Sequence, residues 1–416
     1  MNTLFARPAS CLSLYRFRSF RDVTLNSKIY NREFRVSISQ SNQSSLRRFY
    51  SSSFNNNQAD NFKAPGGEVN DIFIAGAGCI GQGLAVSLLK SNPLNRVFLI
   101  TKPQYIRDIH KLGITTKGVV EGTFFPNRNF VIIDKVDDSL FDEYNIARNP
   151  IVFSSTKAAD TVASLLPFQK VSKINDLAII CLQNGIGTEQ EVQGSLPRQF
   201  GTVLKGHVLG AVHKKGADLF AYKGKILVDG RNGNVSKTLQ DMFLDQKNGI
   251  FDLELSQNIY RDIYPKVAVN CVCNPLTIIF NRNLGFIKNN FEPLIKLICD
   301  EVYTAARSQG IPIESSQHLT EFVLNMMSKF SEHRSSMYLD HVAGKETEID
   351  YINGGVLRIA RENRIDLPIN QLLAESIKEI EGMRAKTKSA EEFYQMHDSY
   401  LEGLTKRLLN FSNNKA

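Results

Sequence analysis

Lys266-Val-Ala-Val-Asn270-Cys-Val-Cys-Asn274-Pro-Leu-Thr277 sets an amine and two amides into an otherwise apolar stretch. On a helix, Lys266, Asn270 and Asn274 fall at i, i+4 and i+8 and share one face, while Val267, Ala268, Cys271 and Val272 turn to the others. Such a face could be a solvated polar stripe. Apolar residues nevertheless cover most of the circumference, as on a helix packed between two bodies, and buried amide and ammonium groups are costly unless they have partners. The sharper reading is a lysine donor flanked by amides that orient a small polar ligand. The stretch lies in mid-chain, about where a first domain should end.

A second group of residues has a spacing that suits phosphate. Asp71-Ile-Phe-Ile-Ala75 reads as a strand, and Gly76-Ala77-Gly78-Cys79-Ile80-Gly81 follows at once. Leu84, Ala85, Leu88 and Leu89 then recur at helical spacing. Strand, glycine loop and helix in this order form a dinucleotide fingerprint. Gly76 makes the tight turn, Gly78 lets backbone approach a pyrophosphate, and Gly81 lets the helix pack close to the strand. The helix N-terminus faces the phosphates. A second strand, Arg96–Thr101, ends in Lys102 rather than in the acid that would hold a ribose 2′-hydroxyl. A cation there suits a 2′-phosphate and favours NADP over NAD; the alternative is an ordinary surface lysine.

The elements that must position these groups follow from periodicity. Phe130–Asp134, Pro150–Ser154 and Leu177–Leu182 read as strands, with helix-like segments such as Ala158–Pro167 between them. Alternating strand and helix predict an open, mostly parallel α/β sheet. Two strand ends carry polar groups: Ser154-Ser-Thr-Lys157, and Gln183-Asn184-Gly185-Ile-Gly187. Val203–Leu209, Leu219–Tyr222 and Lys225–Asp229 are expected to close this domain. From Ile259 the pattern turns helical, with Ile259–Phe280, Phe291–Gln309, Ser315–Phe330, Glu348–Glu362 and Asn370–Arg384 as candidates. Thr347 and Glu348 are read as opening a helix, where Glu348 could serve only as a first-turn acid on the helix dipole.

Taken together, the glycine fingerprint, Gln-Asn-Gly-Ile-Gly, Lys266–Thr277 and Ser335-Ser336-Met…Thr347-Glu348-Ile-Asp-Tyr-Ile-Asn-Gly354 resemble the 2-dehydropantoate 2-reductase (ketopantoate reductase) family over roughly residues 71–385. The resemblance implies a Rossmann-type domain, placed at 71–258, and an all-α domain at 259–385, like the C-terminal domain of 6-phosphogluconate dehydrogenase. It implies NADPH as cofactor, held by Gly76 to Gly81, Lys102, Lys157 and Asn184. Ketopantoate would lie in the cleft and be reduced to pantoate on the route to pantothenate and coenzyme A. Lys266 resembles the family's catalytic lysine and Glu348 the carboxylate that fixes the substrate hydroxyl. Asn184, Asn270, Asn274 and Ser336 resemble substrate-binding residues. One family asparagine is displaced, since this chain reads Asn281-Arg-Asn283-Leu-Gly285. The sequence does not set the oligomeric state and leaves a homodimer open.

Composition places this chemistry in an ordinary globular protein. The 416 residues are 42% hydrophobic and 22% charged, enough for two or three cores. No apolar run approaches the roughly 20 residues of a membrane span. The six cysteines are scattered without a CxxC pair and read as reduced packing residues with no metal site. The net charge of +8 is local. Residues 1–50 hold eight Arg and one Lys against Asp22 and Glu33, and the rest of the chain nets +1. A leader rich in Arg and Ser and poor in acids reads as a mitochondrial transit peptide for the matrix, with residues 51–70 as linker; a basic tail of other purpose is the alternative. Residues 386–416 are read as an added amphipathic helix.

Another class of function is an mRNA-binding translational activator on a reductase-like scaffold. The presence of Lys266, Asn270, Asn274, Ser336 and Glu348 together, and the near-neutral body, favour the enzyme over a nucleic-acid binder. A reductase of a related 2-oxo acid is the nearer alternative. N-terminal sequencing of protein from isolated mitochondria is expected to start near Ser51; an intact Met1 in a cytosolic fraction refutes the transit peptide.

Overall fold

The computed structural model describes residues 69–147, 149–196, 201–386 and, between 396 and 408, all but 398, 402 and 405. The leader and residues 51–68 of the expected linker therefore lie outside the described residues, and Asn70, the last residue of that linker, instead opens β1. In chain order, β1 (Asn70–Ala75), α1 (Cys79–Ser91), β2 (Asn95–Ile100) and α2 (Pro103–Leu112) come first. Two short strands, β3 (Ile114–Gly118) and β4 (Gly122–Phe124), precede β5 (Phe130–Ile133), α3 (Asp138–Tyr144) and β6 (Ile151–Ser154). Then follow α4 (Thr161–Leu165), β7 (Ala178–Cys181), α5 (Thr188–Ser195) and β8 (Val203–Leu209). β9 (Val212–Lys215), β10 (Asp218–Ala221), β11 (Gly224–Asp229), α6 (Gly233–Met242) and β12 (Phe251–Ser256) end the sheet-bearing half.

The main sheet runs β12-β11-β8-β7-β6-β1-β2-β5. From β5 to β8 every pairing is parallel; β11 runs antiparallel to β8 and parallel to β12. Counted along the chain, the parallel part has the order 3-2-1-4-5-6 of a dinucleotide-binding sheet, with its reversal between β1 and β6. Ala75 pairs with both Ile100 and Ser154, so the loops after β1, β2 and β6 emerge side by side at one edge. The central strands β1, β6 and β7 are buried on both faces, as helices covering both sides require. Ile72 and Ile74 enter one core, while Phe73 and Ala75 enter the other. In the second core the Phe73 ring stacks on Phe98 at 4.8 Å and meets Phe168 edge-on at 5.2 Å. The expected closure of the domain differs in one respect. Leu219–Ala221 belongs to a separate four-stranded sheet, β4-β3-β10-β9, in which β10 runs parallel to β3.

The other half is helical: α7 (Ile259–Ile279), α8 (Leu284–Asn290), α9 (Glu292–Ser308), α10 (Ser316–Lys329), α11 (Ser336–Val342), α12 (Asn353–Asn363) and α13 (Pro368–Lys386). α7 is its axis, buried along Val267, Ala268, Cys271, Val272, Leu276 and Ile279. Pro275 within α7 has no N–H to return to the carbonyl of Cys271. The buried Asn353 amide takes that carbonyl at 3.1 Å and donates to Asn370 at 3.0 Å. Glu301 of α9 then accepts the N–H groups of Ile369 and Asn370, both at 2.8 Å, at the start of α13. A carboxylate from another helix thus caps that end. Leu401, Leu404 and Leu408, in the helical residues described beyond Met396, bury into the same core, as an amphipathic helix would.

The helix expected to open at Thr347–Glu348 begins instead at Asn353. Tyr351 and Ile352 donate to the Glu348 carbonyl at 3.1 and 3.0 Å, closing a turn. Ile352 then leaves helical geometry (φ −89°, ψ −91°). This frees the Tyr351 carbonyl to accept the N–H of Ile186, from the sheet-bearing half, at 3.0 Å. The cause is tertiary, and local propensity could not reveal it.

Candidate active site

The glycine loop lies at the edge where the strand order reverses. Gly76 has φ +109°, and a Cβ there would meet the backbone N of Thr156 at 2.9 Å. Gly81 brings α1 so near β1 that a Cβ would stand 1.9 Å from the Gly76 carbonyl oxygen. Gly78 differs: it is exposed, and nothing lies within 4 Å of the Cβ position. The loop is fixed by the Ser155 hydroxyl, which donates to the Gly76 carbonyl at 2.9 Å. The Gln82 amide donates to the Ala77 carbonyl at 2.8 Å. Ala77, Cys79 and Ile80 pack partly buried against the core. α1 has no side-chain cap and no acid in its first turn, so its leading N–H groups are open to an anion. This cradle fits a dinucleotide pyrophosphate. Gly76 N–H donates to the Ile100 carbonyl at 3.2 Å, which ties the loop to the end of β2, where Lys102 stands exposed before Pro103.

Across the crevice, charges from both halves meet. Lys157, after β6, donates to Asp340 of α11 at 2.6 Å and to Glu348 at 3.4 Å. Glu348 also accepts the Asn184 amide at 3.3 Å and the Ala158 N–H at 3.4 Å. The side chain of Lys157 is 47% exposed and that of Glu348 only 11%. Burial works against the Lys157 charge, but Glu348 and Asp340 together raise it above the ordinary lysine value.

Beside this cluster runs the polar face of α7. Lys266 donates to the Val208 carbonyl of β8 at 2.6 Å. Burial pulls its pKa down to about 8; Lys205 pushes the same way and Glu348 opposes. Asn270 is half-buried and Asn274 buried, and their amides make no hydrogen bond among the described residues. Thr277 donates to the Asn274 carbonyl at 3.1 Å and lies 2.6 Å from the Ser335 hydroxyl, which caps α11. Ser335 is therefore the serine that turns inward, and Ser336 is exposed on the first turn of α11.

The fold thus brings Lys157, Asn184 and Glu348 into direct contact, with Lys266 in the electrostatic reach of Glu348. The displaced asparagines have structural duties. Asn281 ends α7 with φ +49° and accepts from Arg334 and Tyr338, both at 2.9 Å, while Asn283 caps α8. Asp340 was not singled out from sequence, although it lies four residues after Ser336 and so on the same helical face. Lys205 and His207 carry no such signal; in the sequence they are polar residues within a strand. Among the described residues no group of His, Cys, Asp and Glu could hold a metal ion. No single helix there is long and apolar enough to cross a membrane.

Comparison with known proteins agrees over both halves. Residues 72–234 match the family described as ketopantoate reductase PanE/ApbA, and residues 258–381 match its C-terminal counterpart. The chain is similar to the 2-dehydropantoate 2-reductase of Shigella flexneri, 29% identical over 265 residues, covering 60% of this chain and 82% of that one. It is also 27% identical to that of Pyrococcus horikoshii over 325 residues, 76% of this chain and 99% of the relative. A ketopantoate reductase family structure from Ralstonia eutropha JMP134 shares the fold at a TM-score of 0.63 and 20% identity, covering 76% and 99% of the two chains. A D-mandelate dehydrogenase structure with NADH and anilino(oxo)acetate does so at 0.62 and 23%, covering 75% and 98%.

The two glycines are expected to separate binding from folding. Gly78→Ala should leave the melting temperature near wild type but weaken dinucleotide binding about tenfold or more, because the methyl fills the space the phosphates need. Gly81→Ala should lower the melting temperature by several degrees, a cost of roughly 1–3 kcal/mol or more from the backbone clash. Calorimetry and a dinucleotide titration on both variants check this; equal effects would refute the assignment.

Proposed function

The chain belongs to the ketopantoate reductase family, and from that premise we propose that it reduces 2-dehydropantoate to pantoate with NADPH, using Lys266 as general acid. The observation that carries the reading is the placement of Lys266. Its ammonium sits in a low-dielectric site on one helical face with Asn270 and Asn274, beside the Glu348–Asn184–Lys157 cluster at the sheet's reversal point.

Gly76 to Gly81 and the open N-terminus of α1 would hold a reduced nicotinamide dinucleotide by its pyrophosphate, and that cofactor would supply the hydride. The remaining work falls to the chain. As hydride reaches C2, negative charge grows on the carbonyl oxygen, and a preorganised ammonium stabilises and then protonates it. Lys266 must leave the Val208 carbonyl to do so. Glu348 accepts a hydrogen bond from the substrate hydroxyl, steadied by Lys157 and Asn184, while Asn270, Asn274 and Ser336 supply further polar contacts to ketopantoate. Lys102 supports NADPH over NADH as a point charge for the 2′-phosphate. The arginine-rich leader supports delivery to the mitochondrial matrix.

Steady-state assays with ketopantoate, 2-oxoisovalerate and oxaloacetate, each with NADPH and NADH, test the substrate and cofactor. Ketopantoate with NADPH is expected to give the highest kcat/KM, and Lys102→Ala should raise the KM for NADPH alone. Lys266→Ala should lower kcat by about 10²–10⁴-fold, whereas Glu348→Ala should raise the KM for ketopantoate as well as lower kcat. The acid must carry its proton, so kcat/KM for reduction, which reports the free enzyme, should be full well below pH 8 and fall as pH rises through about 8. Near-normal kcat in folded Lys266→Ala would end this mechanism.

A further inference from the structure

Lys205 and His207 lie two apart on β8, so their side chains leave the same face of the strand. The chemistry above uses neither. Lys205 is 2% exposed. Its ammonium donates to the Gln183 carbonyl at 2.9 Å, and the carboxylate paired with it, Glu189, is 3.8 Å away. The other oxygen of Glu189 accepts the hydroxyl of Tyr260, near the start of α7. The Gln190 amide donates to that hydroxyl at 2.7 Å.

A buried ammonium with one carbonyl and a long ion pair is poorly compensated, and an apolar side chain of similar length would serve stability as well or better. Its position suggests another use. Gln183 closes β7, and its amide reaches the Ser154 hydroxyl at 2.9 Å and the Thr156 carbonyl at 3.3 Å. Asn184, the next residue, donates to Glu348. Three residues beyond Lys205 on β8, the Val208 carbonyl receives Lys266. Between them His207 is fully buried with neither ring nitrogen hydrogen-bonded. Burial, helped by Lys266 and Lys205, holds its pKa well below the usual histidine value and keeps it neutral.

We propose that Lys205 is a positioning residue for the reduction, one that ties down the Gln183–Asn184 turn and sets a second buried positive charge behind Lys266. This rests on the reading of Lys266 as the proton donor. The charged and titratable groups facing Lys266 are Lys205 and the neutral His207 from β8 and Glu348 from the turn before α12. A like charge in a low-dielectric site disfavours a second ammonium. Lys205 thus makes Lys266 a readier proton donor, and Glu348 restrains the effect.

The test follows two readouts in wild type, Lys205→Met and Lys205→Met/Glu189→Gln, the last of which leaves no unpaired carboxylate behind. Competitive acetylation across pH, read by mass spectrometry on the Lys266 peptide, gives the ionisation of Lys266 directly. The pH profile of kcat/KM gives the free-enzyme ionisation that limits reduction. In both variants the Lys266 titration and the falling limb are expected to move up together by about one pH unit. The KM for ketopantoate should rise because Asn184 is less well held. A merely structural Lys205 would lower stability and leave the titration of Lys266 in place; that result in both folded variants overturns the proposal. A titration that moves while the limb stays overturns Lys266 as the acid instead.

Discussion

Everything at the crevice depends on how closely two backbones approach. Gly185 has φ +80°, and a Cβ there would lie 2.0 Å from the Tyr351 carbonyl oxygen. Gly355 is nearly as tight, with its Cβ position 2.9 Å from the Ile186 carbonyl oxygen. No side chain fits between the turn after β7 and the turn before α12, so the sheet-bearing and helical halves meet main chain to main chain. A seam of this kind has little freedom to slide. It fixes Asn184 and Glu348, each one residue or a few from the contact, at hydrogen-bonding distance without any long side chain having to search for its partner.

The seam is held on the helical side by another backbone necessity. Pro275 strips the Cys271 carbonyl of its helical partner, and Asn353 supplies the replacement from the first residue of α12. The helix that carries Lys266 is thereby locked to the segment that carries Glu348. Dryness does the rest. The same exclusion of water that depresses Lys266 also leaves His207 neutral and Lys205 dependent on a carbonyl, so the region is electrostatically sensitive out of proportion to its few charges.

The fold was largely legible in the sequence because its signals are local. The glycine fingerprint, the alternation of strands and helices and the long apolar helix Ile259–Ile279 each fall within a residue or two of their expected place. The small sheet was not legible, because β3 and β10 pair across about a hundred residues and carry no strong apolar run of their own. At the site, Lys266, Asn184 and Glu348 could be named from spacing and motif, yet Glu348 was set on a helix that does not exist there. Its turn is imposed by a hydrogen bond from Ile186, more than 160 residues away. The motif does not show how Ser335 and Ser336 differ: Ser335 turns inward and caps α11 while Ser336 stays exposed, since helical phase at a cap is decided by which serine bonds the free N–H groups. Lys205 escaped notice because a lysine inside a strand reads as solvated until burial is known.

The order of the main sheet has a bearing on how the protein is made. β1 stands inside it, and moving outward in either direction every strand comes later in the chain: β2 then β5 on one side, β6, β7, β8, β11 and β12 on the other. As the polypeptide emerges from its N-terminal side, each new strand can join an edge already formed, and none has to wedge between two strands already paired. Growth by accretion exposes just two edges at any moment and spares the chain a rearrangement of finished hydrogen bonds. Assembly of the sheet can thus begin at β1, beside the glycine loop, and end at β12, just before the helix that carries Lys266, so the helical half is added to a sheet already complete.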